Sequence, residues 1–238
     1  MKIPTVRGVI DRRILVNFRI DPEILAGVVP GPFRVQQVNG FGIAGICMIR
    51  FKSLRPKFAP SLFGMSSENA AHRIAVEWDT VDGVATGVYV PRRDTSSLFN
   101  TLVGGKIFPG VQHAATFEID ETEERFRVHM RSKDGSGNVF VDAVVADQIP
   151  SSSTFKDLEE VSQFFKQGSV GYSPNGERFD GLELRSTNWS VEPLDVVEVR
   201  SSFFQSPAFP KEAVEFDCAL LMRGIDHEWH GCETKNAC

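Results

Sequence analysis

The chain has 238 residues, of which 42% are hydrophobic and 24% are charged, a composition typical of one globular domain rather than of a disordered segment. Its formal net charge of −5 argues against general nucleic-acid binding, because that binding requires a basic surface. The aromatic residues are 19 Phe, 2 Tyr and 3 Trp, which favours a dry interior, since Phe needs no hydrogen-bond partner.

The sequence contains no run of about 20 apolar residues, so it predicts no membrane-spanning helix. Its first residues, MKIPTVRGVIDRR, lack the apolar core of a signal peptide, and we therefore expect a cytoplasmic protein. The cysteines are Cys47, Cys218, Cys232 and Cys238. Without an export signal, they are not expected to form a disulfide framework.

The N-terminal part predicts strands around one short helix. The segment RRILVNFRI is rich in strand-forming residues and ends at Asp21-Pro22-Glu23, which supplies an N-cap, a first helical Pro and an acidic first turn. Leu25, Val28 and Val29 form the apolar stripe of this helix. The later run FGIAGICMIRF is too apolar for a half-solvated strand, so both of its faces should be covered.

A β-hairpin is predicted from ENAAHRIAVEW, a turn at Thr80-Val81-Asp82-Gly83, and VATGVYV. Because successive residues of a strand point to opposite faces, His72 and Arg73 should face opposite ways. Downstream, Asp94 is expected to cap a second short helix, TSSLFNTLV, which ends at Gly104-Gly105.

The remaining sequence predicts strands on either side of a third helix. The segment ERFRVHM alternates apolar and basic residues, so its basic row should face solvent. Thr154 and Asp157 resemble a capping box ahead of an amphipathic helix that contains Val161 and Phe165. With roughly ten strand candidates, three short helices and no regular alternation between them, we predict a mostly β (α+β) fold with an antiparallel sheet.

Common catalytic and metal motifs are absent: there is no GxGxxG after a strand, and no GxxxxGK[ST], GxSxG, HExxH or CxxC. The segment HEWHGCETKNAC contains His and Cys residues, which can bind zinc, but their spacing matches no standard zinc site. A site confined to so short a segment would also have few neighbouring groups to orient its ligands. We therefore expect no metal and no cofactor, and we interpret residues 225–238 as a polar C-terminal tail.

Five segments occur in an order that resembles one family: ILVNFRIDPEILAGVVPGPFRV, GIAGICMIRF, ENAAHRIAVEW, GVYVPRRDTSS and FPGVQHA. The family consists of uncharacterised bacterial proteins with a domain of unknown function, distantly related to acetoacetate decarboxylase. NWSVEPLDVVEV and the final alternating strand extend the likeness to Gly224. The resemblance implies one domain, residues 1–224, folded as an antiparallel, cone-shaped β-barrel with short helices and a central pocket.

The enzymes among these relatives use a lysine that forms a Schiff base with a β-keto acid, and this lysine must be neutral to attack. In those enzymes a pair of lysines follows a proline, whereas here Phe108-Pro109 is followed by Gly110-Val111. The nearest amine is Lys106, about 13 Å from Gly110 on an extended strand. Lys106 is therefore either a displaced catalytic group or a residue that caps the preceding helix or faces solvent.

The resemblance also places Glu68 at the position of an active-site glutamate. Together, Glu68, Asn69 and Arg73 match a cluster typical of the uncharacterised branch. Such a group could bind a carboxylate-bearing ligand and tune a proton donor. The alternative is a structural ion pair at the start of a strand, since buried charges usually persist only when paired.

Four further positions are candidates. His113 shares strand parity with Ala115, so it is either an inward-facing general acid or base or a hydrogen-bonded core histidine. The resemblance places an active-site arginine at Arg12 or Arg13. The alignment slips by one residue here, and such a slip moves a side chain to the other face of the strand, so the choice between them stays open. Trp189 resembles a family tryptophan and is either a ligand contact or a packing residue.

These observations favour a pocket protein that acts on or binds a small organic acid or carbonyl compound. In the first hypothesis it is a cofactor-independent lyase or acid/base enzyme whose catalytic candidates are Glu68, Arg73, His113 and Lys106. In the second it is a non-catalytic ligand-binding or sensing protein that has lost the Schiff-base lysine. In the third it is a structural domain that forms homo-oligomers. None of the three requires a nucleic-acid or membrane partner, and fold likeness alone does not choose among them.

Overall fold

The computed structural model describes residues 5–103 and 110–237. Within them the first strands are β1 (Val6–Ile20), β2 (Arg34–Val35), β3 (Gln37–Val38), β4 (Phe41–Pro56), β5 (Met65–Thr80), β6 (Gly83–Thr95) and β7 (Gln112–Glu121). The later strands are β8 (Arg125–Ser132), β9 (Asn138–Val145), β10 (Val170–Asn175), β11 (Arg178–Ser186), β12 (Glu192–Ser201), β13 (Val214–Gly231) and β14 (Lys235–Asn236). The helices are α1 (Pro22–Ala26), α2 (Leu98–Val103), α3 (Leu158–Gln167) and a 3-10 helix, Ser61–Phe63.

The strands form one sheet that curls back on itself. Five of them lie side by side in the order β13, β1, β4, β5 and β6. Strands β10 and β11 connect β6 to β13, so these seven strands close into a ring, here called the seven-strand ring. Strands β7, β8, β9 and β12 connect β6 to β13 by another path and close a second, larger ring.

The predicted mostly β fold with a few short helices is confirmed, and the sheet curls into closed rings, as the resemblance implied. The sheet is mixed rather than antiparallel throughout, because β6 pairs in parallel with both β7 and β10. Strand direction was not predictable from the sequence pattern, since side chains alternate between faces in both kinds of pairing.

Two apolar clusters lie on opposite faces of the five shared strands. On β1, Ile14 belongs to the cluster that contains Val128 of β8, whereas its neighbour Leu15 belongs to the cluster that contains Phe165 of α3. The predicted hairpin is confirmed, since β5 and β6 pair down to Thr80 and Gly83. The run in β4 is buried along both faces, as expected for a strand covered on both sides.

The helices form where the sequence predicted them, but two caps differ. Asp21 caps α1, as expected, and accepts a hydrogen bond from the backbone N–H of Glu23 at 2.8 Å. Asp94 does not cap α2, because Arg92 binds its carboxylate. Asp157, rather than Thr154, is the N-cap of α3.

Strand β13 continues to Gly231, so part of the segment that we interpreted as a tail belongs to the sheet. Ile225 and His227 are 1% and 3% exposed and lie on its buried face. Polar residues between them hid this pattern, since Asp226 and Glu228 alternate with the buried positions. Among the described residues, no helix has the length and apolarity that crossing a membrane requires.

Candidate functional site

A cavity of about 100 Å³, here called the arginine cavity, lies within the seven-strand ring. Every strand of the ring contributes to its wall, and α3 contributes Phe165. Phe51, Trp189 and Trp229 add aromatic surface. A smaller adjoining cavity of about 60 Å³ shares part of its wall, including Cys47 and Arg93, and extends to Asn100 of α2. The wall is therefore apolar, which strengthens any electrostatic interaction inside it.

Three arginine side chains line the arginine cavity: Arg13 of β1, Arg73 of β5 and Arg93 of β6. Apart from the thiol of Cys47, the described lining of this cavity includes no acidic side chain. The adjoining cavity includes Asp94, but both of its carboxylate oxygens bind Arg92. Three guanidinium groups thus line a largely apolar space without a carboxylate partner among the described residues.

Arg13 has only sulfur partners for its described hydrogen bonds. Its Nε donates to Sγ of Cys47 at 3.2 Å, and its Nη1 lies 3.9 Å from Sδ of Met222. Thiol and thioether sulfurs are weak acceptors, and a guanidinium has five N–H donors. Most of the hydrogen-bonding capacity of Arg13 is therefore not used by the protein.

Arg73 is 4% exposed and keeps its charge although it is buried. It donates a hydrogen bond from Nη2 to Oδ1 of Asn17, and its guanidinium lies 4.3 Å from the centroid of the Phe165 ring. Its Nε has no hydrogen-bond partner. The pKa of Arg73 is lowered to about 10, mainly by burial, and the nearby charge of Arg13 is part of that lowering. At neutral pH the group remains protonated.

Arg93 occupies a different part of the wall. Its Nε donates to Oγ of Ser173, on β10, at 2.8 Å. Burial lowers the pKa of Arg93 to about 10, so this guanidinium is also charged at neutral pH. A neutral hydroxyl orients the group but does not neutralise it, which leaves Arg93 available to an anion.

Glu68, which we expected in the pocket, instead belongs to a paired ion network with Arg12, Arg50 and Glu121. Arg12 binds Glu68 at 2.6 Å and Glu121 at 2.8 Å, and Arg50 binds both carboxylates as well. Burial lowers the pKa of Arg50, but its hydrogen bonds to the two glutamates outweigh burial and raise that pKa overall. Glu68 is therefore neutralised by protein groups, as in the structural alternative.

The remaining predicted residues are distributed over several places. Asn69 lines the adjoining cavity, but its Oδ1 accepts a hydrogen bond from Thr95 at 2.8 Å. Trp189 lines the arginine cavity, and its Nε1 donates to Oγ of Ser162 at 3.0 Å. His113 lies outside both cavities, with Nδ1 3.0 Å from the carboxylate of Asp134. Lys106 lies outside the described residues.

Two β-bulges explain why the sequence did not decide whether Arg12 or Arg13 faces the site and did not identify Arg93 as a site residue. On β1, the pairing with β4 shifts between Ile10 and Arg12, so strand parity is not continuous there. On β6, the pairing with β5 shifts in the same way between Tyr89 and Arg92. Each bulge changes which residues face the cavity, and counting by two along the strand therefore fails. Cys47 was not predicted to line a cavity, because its apolar neighbours in the sequence gave no sign of one.

An open groove of about 500 Å³ on the outer surface is larger than the arginine cavity but is a weaker candidate site. Its arginines, Arg7, Arg55 and Arg185, lie beside Asp226 and Glu228, so both signs of charge are present. Within the described ranges, no three His, Cys, Asp or Glu side chains are grouped so that they could hold a metal ion. The arginine cavity is therefore the site whose charge needs an external partner.

Solved structures define the class of fold. Acetoacetate decarboxylase from Legionella pneumophila subsp. pneumophila str. Philadelphia 1 matches with a TM-score of 0.62 and 11% identity, over 99% of this chain and 87% of that one. An acetoacetate decarboxylase-like enzyme from Sphingomonas wittichii RW1 matches with a TM-score of 0.57 and 10% identity, over 98% and 91% of the two chains. The enduracididine biosynthesis enzyme MppR, complexed with pyruvate, matches with a TM-score of 0.58 and 9% identity, over 98% of this chain and 90% of that one. The chain therefore has an acetoacetate decarboxylase-like fold.

The family follows from the sequence. Residues 10–226 match the family DUF2071, described as an uncharacterized conserved protein, and the chain belongs to this family. The resemblance stated from the sequence segments is thus confirmed. A search of curated proteins finds no match. At identities of 9% to 11%, the solved structures establish the fold and not the activity.

Proposed function

We propose that the protein binds a small organic acid, such as a keto acid, in the arginine cavity. The observation that carries this proposal is the set of three guanidiniums in the cavity wall, one buried (Arg73) and two half-buried (Arg13 and Arg93), which no described carboxylate neutralises. A guanidinium matches the two oxygens of a carboxylate with parallel hydrogen bonds. Buried charges left without a partner destabilise a protein, so an anionic ligand offsets that cost.

The shape of the cavity supports a short carbon chain as the rest of the ligand. Phe51, Trp189 and Trp229 supply apolar surface but few polar groups, so the arginines orient the ligand. The pyruvate complex of MppR, which has a similar fold, is consistent with a ligand of this size. The room within the cavity favours ligand binding over the hypothesis of a structural domain with a filled centre.

The second candidate function is a cofactor-independent lyase. The acetoacetate decarboxylase-like fold favours it. However, the described lining of the arginine cavity includes no lysine, and Glu68 and His113 lie elsewhere. A Schiff-base route would therefore depend on Lys106, and we place this function behind binding.

Isothermal titration calorimetry tests the binding proposal with pyruvate, acetoacetate and the neutral analogue pyruvamide. We expect the two acids to bind and the amide not to bind, because only the acids carry a carboxylate. Arg73→Met should weaken binding at least about 30-fold, or about 2 kcal/mol. The control is Arg131→Met, which removes an exposed arginine of β8 that pairs with Glu118. Equal binding of acid and amide would contradict the proposal.

Borohydride trapping tests the lyase candidate. The protein is incubated with acetoacetate and sodium borohydride, and its intact mass is compared with that of Lys106→Ala. A reduced adduct that maps to Lys106 would establish the Schiff-base route. If the mass is unchanged while calorimetry shows binding, the Schiff-base route is excluded and the ligand-binding function stands.

A further inference from the structure

The three guanidiniums of the arginine cavity are held at two separate places in its wall. Arg73 donates to Asn17 of β1, the strand that also carries Arg13, whereas Arg93 donates to Ser173 of β10. In the seven-strand ring, at least two strands separate β1 from β10 in either direction. Arg73 and Arg93 themselves stand on the neighbouring strands β5 and β6, where Arg93 lies opposite Ala71, but their guanidiniums reach toward opposite sides of the ring. Arg13 and Arg73 therefore form one positive pole, and Arg93 forms a second.

The electrostatics of the three groups agree with this division. The charge of Arg13 contributes to the lowered pKa of Arg73, after the larger effect of burial. Burial is the main cause of the lowered pKa of Arg93, and neither of the other two arginines contributes to it. This agrees with the side-chain directions, which carry Arg73 toward β1 and Arg93 toward β10.

From these two poles we propose that the ligand is a short dicarboxylic acid, with one carboxylate bound by Arg13 and Arg73 and the other by Arg93. This inference rests on the proposed function and narrows its ligand class. A single carboxylate would leave one pole without an anion in an apolar wall, and a charge that lacks a counter-charge there is unfavourable. A diacid supplies an anion at each pole.

The size of the cavity sets the chain length. Its volume of about 100 Å³ has room for several water molecules but not for a drug-sized ligand. The terminal carbons of a three- to five-carbon chain lie about 2.5–5 Å apart, which fits a cavity of this size. The ligand class is therefore a diacid such as malonate, ketomalonate or succinate, rather than a long-chain or aromatic diacid.

Calorimetry with acids matched in chain length tests the inference: succinate against butyrate, and ketomalonate against pyruvate. We expect each diacid to bind at least about tenfold more tightly than its monoacid, or about 1.4 kcal/mol. In Arg93→Met, the ratio should fall below about threefold, because the second pole is gone. Arg93→Lys keeps the charge and should preserve part of the ratio. Arg131→Met is the surface control, and thermal unfolding verifies that each variant is folded.

The outcomes separate this inference from the proposed function. Equal affinity for monoacid and diacid in the unaltered protein would overturn the inference but leave small-acid binding intact. No measurable binding of any of the four acids would overturn both. Sulfate carries two charges on one group and serves as a further probe. If sulfate bound as tightly as succinate, charge alone would explain the affinity, and two separate carboxylates would not be required.

Discussion

Arg12 and Arg13 are neighbours on β1, yet their guanidiniums lie in opposite environments. Arg12 binds the carboxylates of Glu68 and Glu121, and its side chain is 3% exposed. Arg13 faces the arginine cavity, where its described partners are sulfur atoms, among them Cys47. One charge is neutralised by the protein, and the other is left without an anion.

The same contrast recurs on the next strands of the ring. On β5, His72 is fully buried and binds Ser201, and burial keeps it neutral by lowering its pKa to about 3, whereas its neighbour Arg73 is charged in the cavity. On β6, Arg92 binds both oxygens of Asp94, whereas Arg93 has only a hydroxyl partner. On the face opposite the cavity, Arg12 and Arg92 bind carboxylates and His72 is neutral, whereas the arginines of the cavity face have no carboxylate partner among the described residues.

This difference distinguishes charged side chains that stabilise the fold from charged side chains that are available to bind a ligand. In a paired network, each charge is neutralised by another protein group, so the network stabilises the folded chain without a ligand. Charges that converge on an apolar space without partners lower stability, and they persist where binding requires them. The two faces should therefore respond in opposite ways when a charge is removed.

The largest effect is expected for Arg12→Met, which would break the paired ion network. Removing this nearly buried arginine leaves Glu68 and Glu121 with fewer partners, so the free energy of unfolding should fall by about 3 kcal/mol. Arg13→Met is the matched variant and should change stability by less than about 1 kcal/mol, because it removes a charge with no carboxylate partner. Urea unfolding followed by circular dichroism measures both. A greater loss in Arg13→Met than in Arg12→Met would reverse the comparison.

The second effect is a loss of stability in acid that depends on His72. The unfolded chain binds a proton near pH 6.5, but the folded chain does so only near pH 3, so the folded pKa is the lower one. The stabilisation is therefore complete above pH 6.5 and is lost as the pH falls toward 3. Between pH 7 and pH 4.5 the loss should be up to about 3 kcal/mol.

Urea unfolding of His72→Gln at the two pH values tests this effect. The variant should lose less stability between pH 7 and pH 4.5 than the unaltered protein. His129→Gln, at a partly exposed position of β8, is the control and should behave as the unaltered protein does. An unchanged pH dependence in His72→Gln would show that His72 is not the group responsible.

The smallest effect is protection of Cys47 by a ligand. Cys47 lines both cavities, whereas Cys232 lines neither. A bound diacid should slow alkylation of Cys47 by iodoacetamide several-fold and leave Cys232 unaffected, because it fills the space beside the Cys47 thiol. Peptide mass spectrometry measures both sites in the presence and absence of succinate. Equal slowing at the two cysteines would point to a general effect of salt.

The fold was largely predictable because alternation of apolar residues survives in long strands. The hairpin of β5 and β6 and the cap at Asp21 follow from local residues alone. The site was less predictable. Glu68 and Arg73 were grouped by the family resemblance, but they lie on opposite faces of β5 and face different environments.

The arginine cavity itself depends on contacts that no local pattern encodes. Its three guanidiniums come from β1, β5 and β6, and their partners come from strands far along the chain, as with Ser173 for Arg93. The bulges on β1 and β6 decide which of two neighbouring arginines faces inward. That no described carboxylate pairs with Arg13, Arg73 or Arg93 becomes visible only when the strands are assembled.

The most direct test of the anion site is a crystal structure of the protein soaked in sodium bromide. Bromide binds where positive charge lacks a partner, and its anomalous scattering locates it without ambiguity. We predict bromide inside the arginine cavity, in contact with Arg73 or Arg93, and none at the paired ion network of Arg12 and Arg50. Bromide confined to the outer surface, with the cavity empty of anions, would contradict the site.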